Sequence, residues 1–463
     1  MTRTPPPTPH PVTVIGCGLR GAPLPPGHAA ALAQAQVVAG GARLLDAFPG
    51  HPGQRIVIGG ALDEALDAIG QCRARGLRVA VLADGDPLFF GIGARLAAAF
   101  GPGALRVLPA ASSLQQAAAR LALPWQEARC VSLHGRDDFR PLTAALRDAG
   151  HTGGPVCVLT DGCNTPGAIA RFLLSRGVGG LRLHALADMG SPGERHAVFD
   201  LPHFPLSPDD AGDAPAPEDA AARLRELDSL GGNCTVLLVP DAAPSLSAPP
   251  PPLVLGIPDG DFAVQARLIT KWPVRAAGLA ALRIAPGHTV WDLGAGSGAV
   301  SVEAAALARH GLVVAVERDP ARVALIKENR RRFRTPNLHV VHGELPGCLD
   351  GLPGPDRVFI GGGLGGGGGL GGAGLGGDGH SPHEDPLLDE VCRRLPPGGR
   401  LVAHCVLLGT LERVRAALAR HGWPSEVACI QASEAVPLLG DLRLAAMNPV
   451  FIVAATRPEG DAA

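Results

Sequence analysis

Residues 288–308 read HTVWDLGAGSGAVSVEAAALA, and this stretch decides the fold of the C-terminal half of the chain. An apolar run is followed by a glycine-rich turn, from Gly294 to Gly298, and then by a second apolar run. Glycines let a strand turn sharply into a helix and let backbone N–H groups approach a ligand closely. The stretch therefore predicts a strand–turn–helix unit with a ligand at the turn.

Strands and helices alternate on both sides of this unit. We predict strands over 289–293, 312–317, 338–342, 357–360 and 400–406, and helices over 299–309, 320–333 and 386–395. This alternation is typical of a doubly wound, Rossmann-like α/β sheet, in which ligands bind beyond the carboxyl ends of the strands.

Three carboxylates lie at or near the carboxyl ends of three of these strands. Asp292 stands two residues before the first glycine, where it can meet the cationic amino-acid end of S-adenosylmethionine. Glu317 ends the next strand, where ribose hydroxyls would lie, and Glu344 follows the third strand and can reach an adenine amine. Glu317 alone suits a dinucleotide equally well, so an oxidoreductase stays an alternative. The set favours a methyltransferase whose cofactor-binding residues are Asp292, Gly294, Ala295, Gly296, Ser297, Gly298, Glu317 and Glu344.

The N-terminal half carries a second loop of this kind. The apolar run RVAVLA, at 78–83, precedes GDPLFFGIG at 85–93, and ALRVLP precedes Ser112 and Ser113. A Gly-Asp-Pro turn taken alone is most often only structural. The alternation of strands and helices up to residue 240 nevertheless predicts an α/β protein of two lobes.

Low-complexity segments divide the chain. DAAPSLSAPPPP at 241–252 predicts a stiff Pro-rich linker with few contacts across it, between domains at 1–240 and 253–463. The polar segment at 205–220 predicts a surface excursion. The run at 361–379 is almost all glycine, and two interpretations stay open: a lid over the C-terminal site, or a repeat expansion in a surface loop.

Composition excludes several classes of protein. A formal net charge of −2 argues against a polybasic nucleic-acid binder. The ten cysteines form no CxxC pair, and no apolar run reaches membrane-spanning length, so we expect a soluble cytoplasmic protein that does not act at a membrane. His380 and His383 have no third ligand nearby in the sequence, so we assign no metal. A homo-oligomeric state stays open.

The C-terminal half resembles the decarboxylating methyltransferase domains of the corrin pathway over roughly 253–456. GIPDGDF, LITKWPVRA, DRVFIGG and MNPVFIVAA carry the resemblance together with the glycine turn. It implies that Thr270 approaches S-adenosylmethionine. Glu344-Leu345 departs from the Asp-Ala usual in that family.

The N-terminal half resembles the tetrapyrrole methylases over about 12–240. VIGCG, GDPLFFGIG, SSLQQAAARLALPW, SLHGR and LTDGCNTPGAIARFLL carry the resemblance, whereas Leu19 and Arg20 depart from the usual opening loop. It implies that S-adenosylmethionine lies in a cleft between two lobes. His134 and Arg136 either grip a carboxylate or form a surface turn. The residues that the resemblance assigns to the cofactor are Gly85, Asp86, Pro87, Leu88, Phe89, Ser112 and Ser113.

The order of the two halves resembles the fused, decarboxylating C-5,15-methyltransferases of cobalamin biosynthesis. This implies methylation of precorrin-6Y at C-5 by the N-terminal half and at C-15 by the C-terminal half, with loss of carbon dioxide from the C-12 acetate. No side-chain nucleophile is required, and we predict no catalytic residue. Lys271, Arg275 and Arg283 are candidates for binding the polycarboxylate substrate. Two alternatives stay open: a cobalt-precorrin substrate of the anaerobic route, and one half that binds S-adenosylmethionine without catalysis.

Overall fold

A computed structural model describes residues 10–18, 22–202, 217–232, 234–241, 253–265, 269–361 and 385–459. The linker from residue 242 onward, most of the polar segment at 205–220, Leu19, Arg20, and the glycine run from residue 362 with His380 and His383 lie outside the described residues. The described part forms three large sheets and one separate hairpin.

The first sheet is parallel, with the strand order β3-β2-β4-β1-β5. Its central strands are almost wholly buried and rich in valine and alanine, as expected when helices cover both faces. β1 and β4 are neighbours, so the loops that follow them meet at one edge. The elements are β1 (Val12–Gly16), β2 (Val37–Gly40), β3 (Gln54–Val57), β4 (Val79–Ala83), β5 (Leu105–Leu108), α1 (Pro26–Ala33), α2 (Ala42–Asp46), α3 (Leu62–Ala74) and α4 (Gly93–Phe100).

The second sheet is mixed, with the order β6-β7-β10-β8-β9, and only β6 and β7 run parallel. Helix α5 connects the two lobes, because its Leu114 and Ala117 pack in one apolar cluster with Cys157 and Leu237 of the second sheet. The elements are β6 (Arg129–Ser132), β7 (Val156–Leu159), β8 (Leu181–Ala187), β9 (Arg195–Leu201), β10 (Cys234–Pro240), α5 (Ser113–Arg120), α6 (Arg140–Thr152), α7 (Pro166–Ser175) and α8 (Pro217–Ser229).

The third sheet has seven strands in the order β13-β12-β11-β14-β15-β19-β16. β11 to β15 are parallel, whereas β19 is antiparallel to both β15 and β16. The strand order 3-2-1-4-5 is that of a doubly wound sheet, but the antiparallel β19 departs from the all-parallel dinucleotide-binding order. The strands are β11 (Thr289–Leu293), β12 (Leu312–Glu317), β13 (Leu338–His342), β14 (Arg357–Ile360), β15 (Arg400–Cys405), β16 (Ser425–Ile430), β17 (Ser433–Leu438), β18 (Asp441–Ala446) and β19 (Val450–Thr456).

Five helices flank this sheet, within the described residues: α9 (Trp272–Leu282), α10 (Ala299–Leu307), α11 (Pro320–Arg332), α12 (Pro386–Arg394) and α13 (Leu408–Arg420). The strands and helices that the sequence predicts here are confirmed, with helix ends one or two residues earlier. The exposed hairpin of β17 and β18 is an addition that the sequence did not predict. The predicted α/β fold class, with a two-lobed N-terminal half and a Rossmann-like C-terminal half, is confirmed.

Candidate active site

The glycine turn lies at the carboxyl edge of the third sheet. The amides of Gly294 and Ala295 both donate to the carbonyl of Val316, at 3.0 Å, which attaches the turn to the end of β12. Gly298 has φ +81°, and a Cβ there would stand 3.0 Å from Cγ2 of Ile326, so this glycine is required both by its backbone angle and by space. The turn therefore brings its amides and the start of α10 to the strand edge, as the sequence predicts.

Glu317 fixes the shape of this turn. Its side chain is 5% exposed, and one carboxylate oxygen accepts a hydrogen bond from the Gly296 amide at 2.8 Å. The other oxygen accepts from the amides of Arg318 and Asp319, at 3.0 and 3.1 Å. A Cβ built on Gly296 would meet nothing within 4 Å, so there is open space beside the Cα of this residue, while its amide is held by Glu317.

Asp292 lies beneath the turn rather than in open space. Its side chain is 1% exposed, and its carboxylate accepts a hydrogen bond from the Ser301 hydroxyl of α10. Burial raises the pKa of Asp292 to about 7, with the nearby Glu317 adding to the rise and Ser301 opposing it. The sequence did not single out Ser301, although a serine in the apolar run of α10 was visible.

Glu344 and Thr270 are less tightly placed. Glu344 is exposed, and the neighbouring Gly343 amide donates to the Glu317 carbonyl at 3.1 Å, so the end of β13 adjoins Glu317. Thr270 is half-buried, and its carbonyl accepts from Nη1 of Arg275 at 2.5 Å.

A buried ion pair supports the segment that carries Thr270. Arg275 and Glu303 are both fully buried, and Nε of Arg275 lies 2.7 Å from Oε1 of Glu303. Glu303 also accepts from the amides of Gly256 and Ile257, at 3.1 and 3.0 Å. Because Glu303 lies on α10, this network joins the GIPD segment to the helix that follows the glycine turn.

The interpretation of Arg275 as a substrate contact is therefore wrong, because its side chain is fully buried and paired with Glu303. Lys271 pairs with Asp259 at 3.3 Å, and Arg283 ends α9 at the helix terminus away from Thr270. An open pocket of about 380 Å³ lies beside this segment, lined by Gly256, Pro258, Asp259, Trp272 and Glu434.

Asn329 makes a further connection that the sequence did not reveal. It is fully buried on α11, and its amide nitrogen donates to the carbonyls of Ser297 and Ala263, at 2.8 and 2.9 Å. Its oxygen accepts from the Ala263 amide at 2.8 Å. The glycine turn is thus tied through one side chain to the segment that precedes α9.

The N-terminal loops meet by backbone contact. A Cβ added to Gly16, at the end of β1, would lie 2.2 Å from the Gly85 carbonyl oxygen and 2.7 Å from the Ala110 nitrogen. A Cβ on Gly85, where φ is +57°, would lie 2.8 Å from Cα of Ser112. The loops after β1, β4 and β5 therefore touch one another, and the predicted residues of the Gly-Asp-Pro loop and Ser112 are brought together.

The Gly-Asp-Pro loop is a tight turn with an apolar edge. The Asp86 carboxylate accepts from the Leu88 amide at 2.9 Å, and the Pro87 carbonyl accepts from the Gly93 amide at 2.8 Å. Leu88 and Phe90 are about half exposed, at 55% and 53%. Phe89 instead packs into the apolar cluster that joins the two lobes.

Ser112 is the N-cap of α5. Its hydroxyl accepts from the Gln115 amide at 3.2 Å, while the Gln115 side chain accepts from the Ser112 amide at 2.8 Å. This capping box fixes the start of the helix, and Ser113 is its first residue.

The chain is similar to known proteins over the regions that carry both loop clusters. A family model described as tetrapyrrole (corrin/porphyrin) methylases matches residues 11–205, and one described as a precorrin methyltransferase domain matches residues 262–371. A precorrin-6Y C(5,15)-methyltransferase (decarboxylating) of Sinorhizobium sp is 35% identical over 332 residues, which cover 72% of this chain and 69% of the relative. The chain belongs to the precorrin-6Y C(5,15)-methyltransferase family.

Two shorter relatives each align with part of this precorrin methyltransferase. A cobalt-precorrin-6B C(15)-methyltransferase (decarboxylating) of Salmonella typhimurium is 35% identical over 193 residues, 41% of this chain and 90% of the relative. A cobalt-precorrin-7 C(5)-methyltransferase of the same organism is 37% identical over 170 residues, 36% of this chain and 80% of the relative. Family membership makes the chain a methyltransferase rather than a dinucleotide oxidoreductase.

The SLHGR turn of this precorrin methyltransferase is held by its own lobe. The Gly135 amide donates to the Asp161 carboxylate at 2.6 Å, and Nε of Arg136 donates to the Ser132 carbonyl at 2.9 Å. Asn164 donates to the carbonyls of Leu133 and Arg136. These hydrogen bonds explain how the turn keeps its shape. A carboxylate-binding role for His134 and Arg136 stays a prediction.

Two kinds of feature are absent from the described residues of the precorrin methyltransferase. No helix in that part of the chain is long and apolar enough to cross a bilayer. Nor does that part group three or more His, Cys, Asp or Glu side chains in a way that could hold a metal ion.

Proposed function

We propose that this enzyme transfers two methyl groups from S-adenosylmethionine to precorrin-6Y. A domain at 1–240 methylates C-5, and a domain at 253–463, after the linker at 241–252, methylates C-15 and releases the carboxyl group of the C-12 acetate. The observation that carries the proposal is the presence of two separate loop clusters, each at the carboxyl ends of parallel strands. The two family matches, one over each cluster, support the division.

The residues of the C-terminal cluster fit S-adenosylmethionine. Space is open beside the Cα of Gly296, and the Gly296 amide donates to the Glu317 carboxylate. The carboxylate of Asp292 lies under the same turn, and the Thr270 segment is joined to α10 by the buried ion pair. The residues proposed to hold the cofactor are Thr270, Asp292, Gly294, Ala295, Gly296, Ser297, Gly298, Glu317 and Glu344.

The N-terminal cluster fits the same cofactor by different means. Three loops touch through glycine backbone, so a ligand there would be held largely by main-chain groups and by the walls of two lobes. The residues proposed for this site are Gly85, Asp86, Pro87, Leu88, Phe89, Ser112 and Ser113.

Bound S-adenosylmethionine supplies an electrophilic sulfonium methyl group. The corrin ring carbons are nucleophilic through conjugation, so the protein needs to position the reactants and exclude water rather than activate a side chain. The half-exposed Leu88 and Phe90 offer an apolar surface for a flat macrocycle at the first site, and the 49% exposed Trp272 offers one at the second.

Mass analysis of the products made from precorrin-6Y tests this function. We expect two added methyl groups and one lost carboxyl group. A parallel assay with the cobalt-containing substrate distinguishes the anaerobic route. Gain of a single methyl group would mean that one half binds without catalysis, and no gain with either substrate would contradict the proposal.

A further inference from the structure

Two arginines cross between the halves of the chain, and each reaches the C-terminal end of a helix in the other half. Arg147, on α6, donates from Nη1 to the Ala305 carbonyl at 2.5 Å and from Nη2 to the Ala306 carbonyl at 3.4 Å, in the last turn of α10. Arg330, near the end of α11, donates from Nη2 to the carbonyl of Ser175, the last residue of α7, at 2.9 Å.

This reciprocal arrangement has a physical basis. The last carbonyls of a helix lack intrahelical donors and form its negative end, so a guanidinium placed there is stabilised by hydrogen bonds and by charge. Each half supplies the cation that the helix end of the other half accepts. We call the contacts of Arg147 and Arg330 with these helix ends the arginine seam.

The surfaces at the seam fit closely. Gly177, which follows α7 with φ +64°, lies so near the other half that a Cβ would stand 2.8 Å from Cγ of Arg331. Arg330 is only 5% exposed, and burial lowers its pKa to about 10. Burial lowers the pKa of Arg176 to about 10 as well, and its guanidinium lies over the Phe172 ring, 5.2 Å from the centroid.

The arginine seam lies at the far ends of two helices, α10 and α7, that begin at loops of their own domains. α10 begins directly after Gly298 of the glycine turn and ends at Arg147. α7 begins after the Asp161–Asn164 loop of the second lobe and ends at Arg330. Each of these helices therefore runs from its own domain's loop region to the seam.

We propose that the two methyltransferase domains are docked through the arginine seam as one unit, and that this docking does not depend on the linker. The partner surface for each domain is the helix end of the other domain. The proposal concerns association alone and stands apart from which ring carbon each domain methylates.

Cleavage of the folded full-length chain tests the docking. A site for a specific protease is inserted within residues 242–252, the purified protein is cut, and the halves are followed by size-exclusion chromatography at micromolar concentration. We expect the cut halves to elute together. The double variant Arg147→Ala/Arg330→Ala should associate at least tenfold more weakly and elute as two species.

The matched control is Arg171→Ala/Arg322→Ala, which removes two arginines whose ion-pair partners, Asp228 and Asp319, lie in their own halves. These cut halves should stay together. Gly177→Ala is a second, independent variant, expected to weaken association without removing a charge, and circular dichroism of each fraction confirms folding. Separate elution of the wild-type halves, or unchanged association of folded seam variants, would overturn the proposal.

Discussion

The two loop clusters are held together by different kinds of contact. In the N-terminal domain, three loops approach through bare backbone at Gly16 and Gly85, and the apolar Leu88 and Phe90 face outward. In the C-terminal domain, buried carboxylates support the turn: Glu317 accepts a hydrogen bond from the Gly296 amide, and Asp292 lies beneath the turn. One site is thus sensitive to added volume and the other to lost charge, which makes the two separable by mutation.

The largest effect is expected where a charge becomes unpaired. Glu303→Gln leaves the fully buried Arg275 without its main counter-ion, and breaking such a pair costs about 3–5 kcal/mol. We expect the C-terminal domain to lose stability by this order. Urea unfolding followed by tryptophan fluorescence reports it, because three of the four tryptophans, Trp272, Trp291 and Trp423, lie in that domain.

The exposed Glu412→Gln serves as the control for this experiment and should leave the unfolding curve unchanged. If Glu303→Gln unfolds at the same urea concentration as the wild type, the buried pair does not support the C-terminal site as described.

Gly16→Ala should disable the N-terminal site alone. Its methyl group would overlap the backbone of Gly85 and Ala110, which cannot move without separating the loops. We expect C-5 methylation to fall at least about tenfold while cofactor binding by the C-terminal domain is retained. Gly27→Ala, where a Cβ meets nothing within 4 Å, is the matched control. Normal C-5 methylation by Gly16→Ala would show that close backbone contact is not needed.

Asp292→Asn should weaken cofactor binding in the C-terminal domain about tenfold, because a charged partner is lost. It should also stabilise that domain. Asp292 has a pKa of about 7 when folded and near 3.9 when unfolded, so its contribution to stability is present below about pH 4 and is lost as pH rises towards 7. Thermal melts should show a gain of several degrees at pH 8 and a smaller one at pH 5. A variant less stable at pH 8 would refute the buried-carboxylate account.

Ser301→Ala gives the smallest and most specific effect. The Ser301 hydroxyl lowers the pKa of Asp292, so its removal should raise that pKa further. The acid limb of the pH profile for C-15 methylation should move to higher pH, with little change in rate on the alkaline side. Ser433→Ala, on the separate hairpin, should leave the profile in place. An unshifted profile for Ser301→Ala would mean that Asp292 does not control the acid limb.

Local pattern was enough to predict the strand–turn–helix units. Strands 289–293 and 312–317 have the predicted bounds, and Asp292 and Glu317 stand at their ends. These features depend on residues close together in the chain. The residues missed were Ser301, Glu303 and Asn329, whose partners include segments tens of residues away. A lone glutamate in the apolar run of α10 was the available signal, but its partner could not be predicted without the tertiary fold.

The relation between the halves was also beyond the sequence. The Pro-rich composition of the linker suggested few contacts across it, yet Arg147 and Arg330 bond across the domains. Arginines on helix surfaces carry no local sign of which distant carbonyls they will meet.

Calorimetric titration of the intact protein with S-adenosylmethionine tests the central claim most directly. Two sites per chain are predicted, with one site weakened about tenfold in Asp292→Asn and the other lost in Gly16→Ala. A single site in the wild-type protein, or loss of both sites in either variant, would contradict the account of two separately built methyltransferase sites.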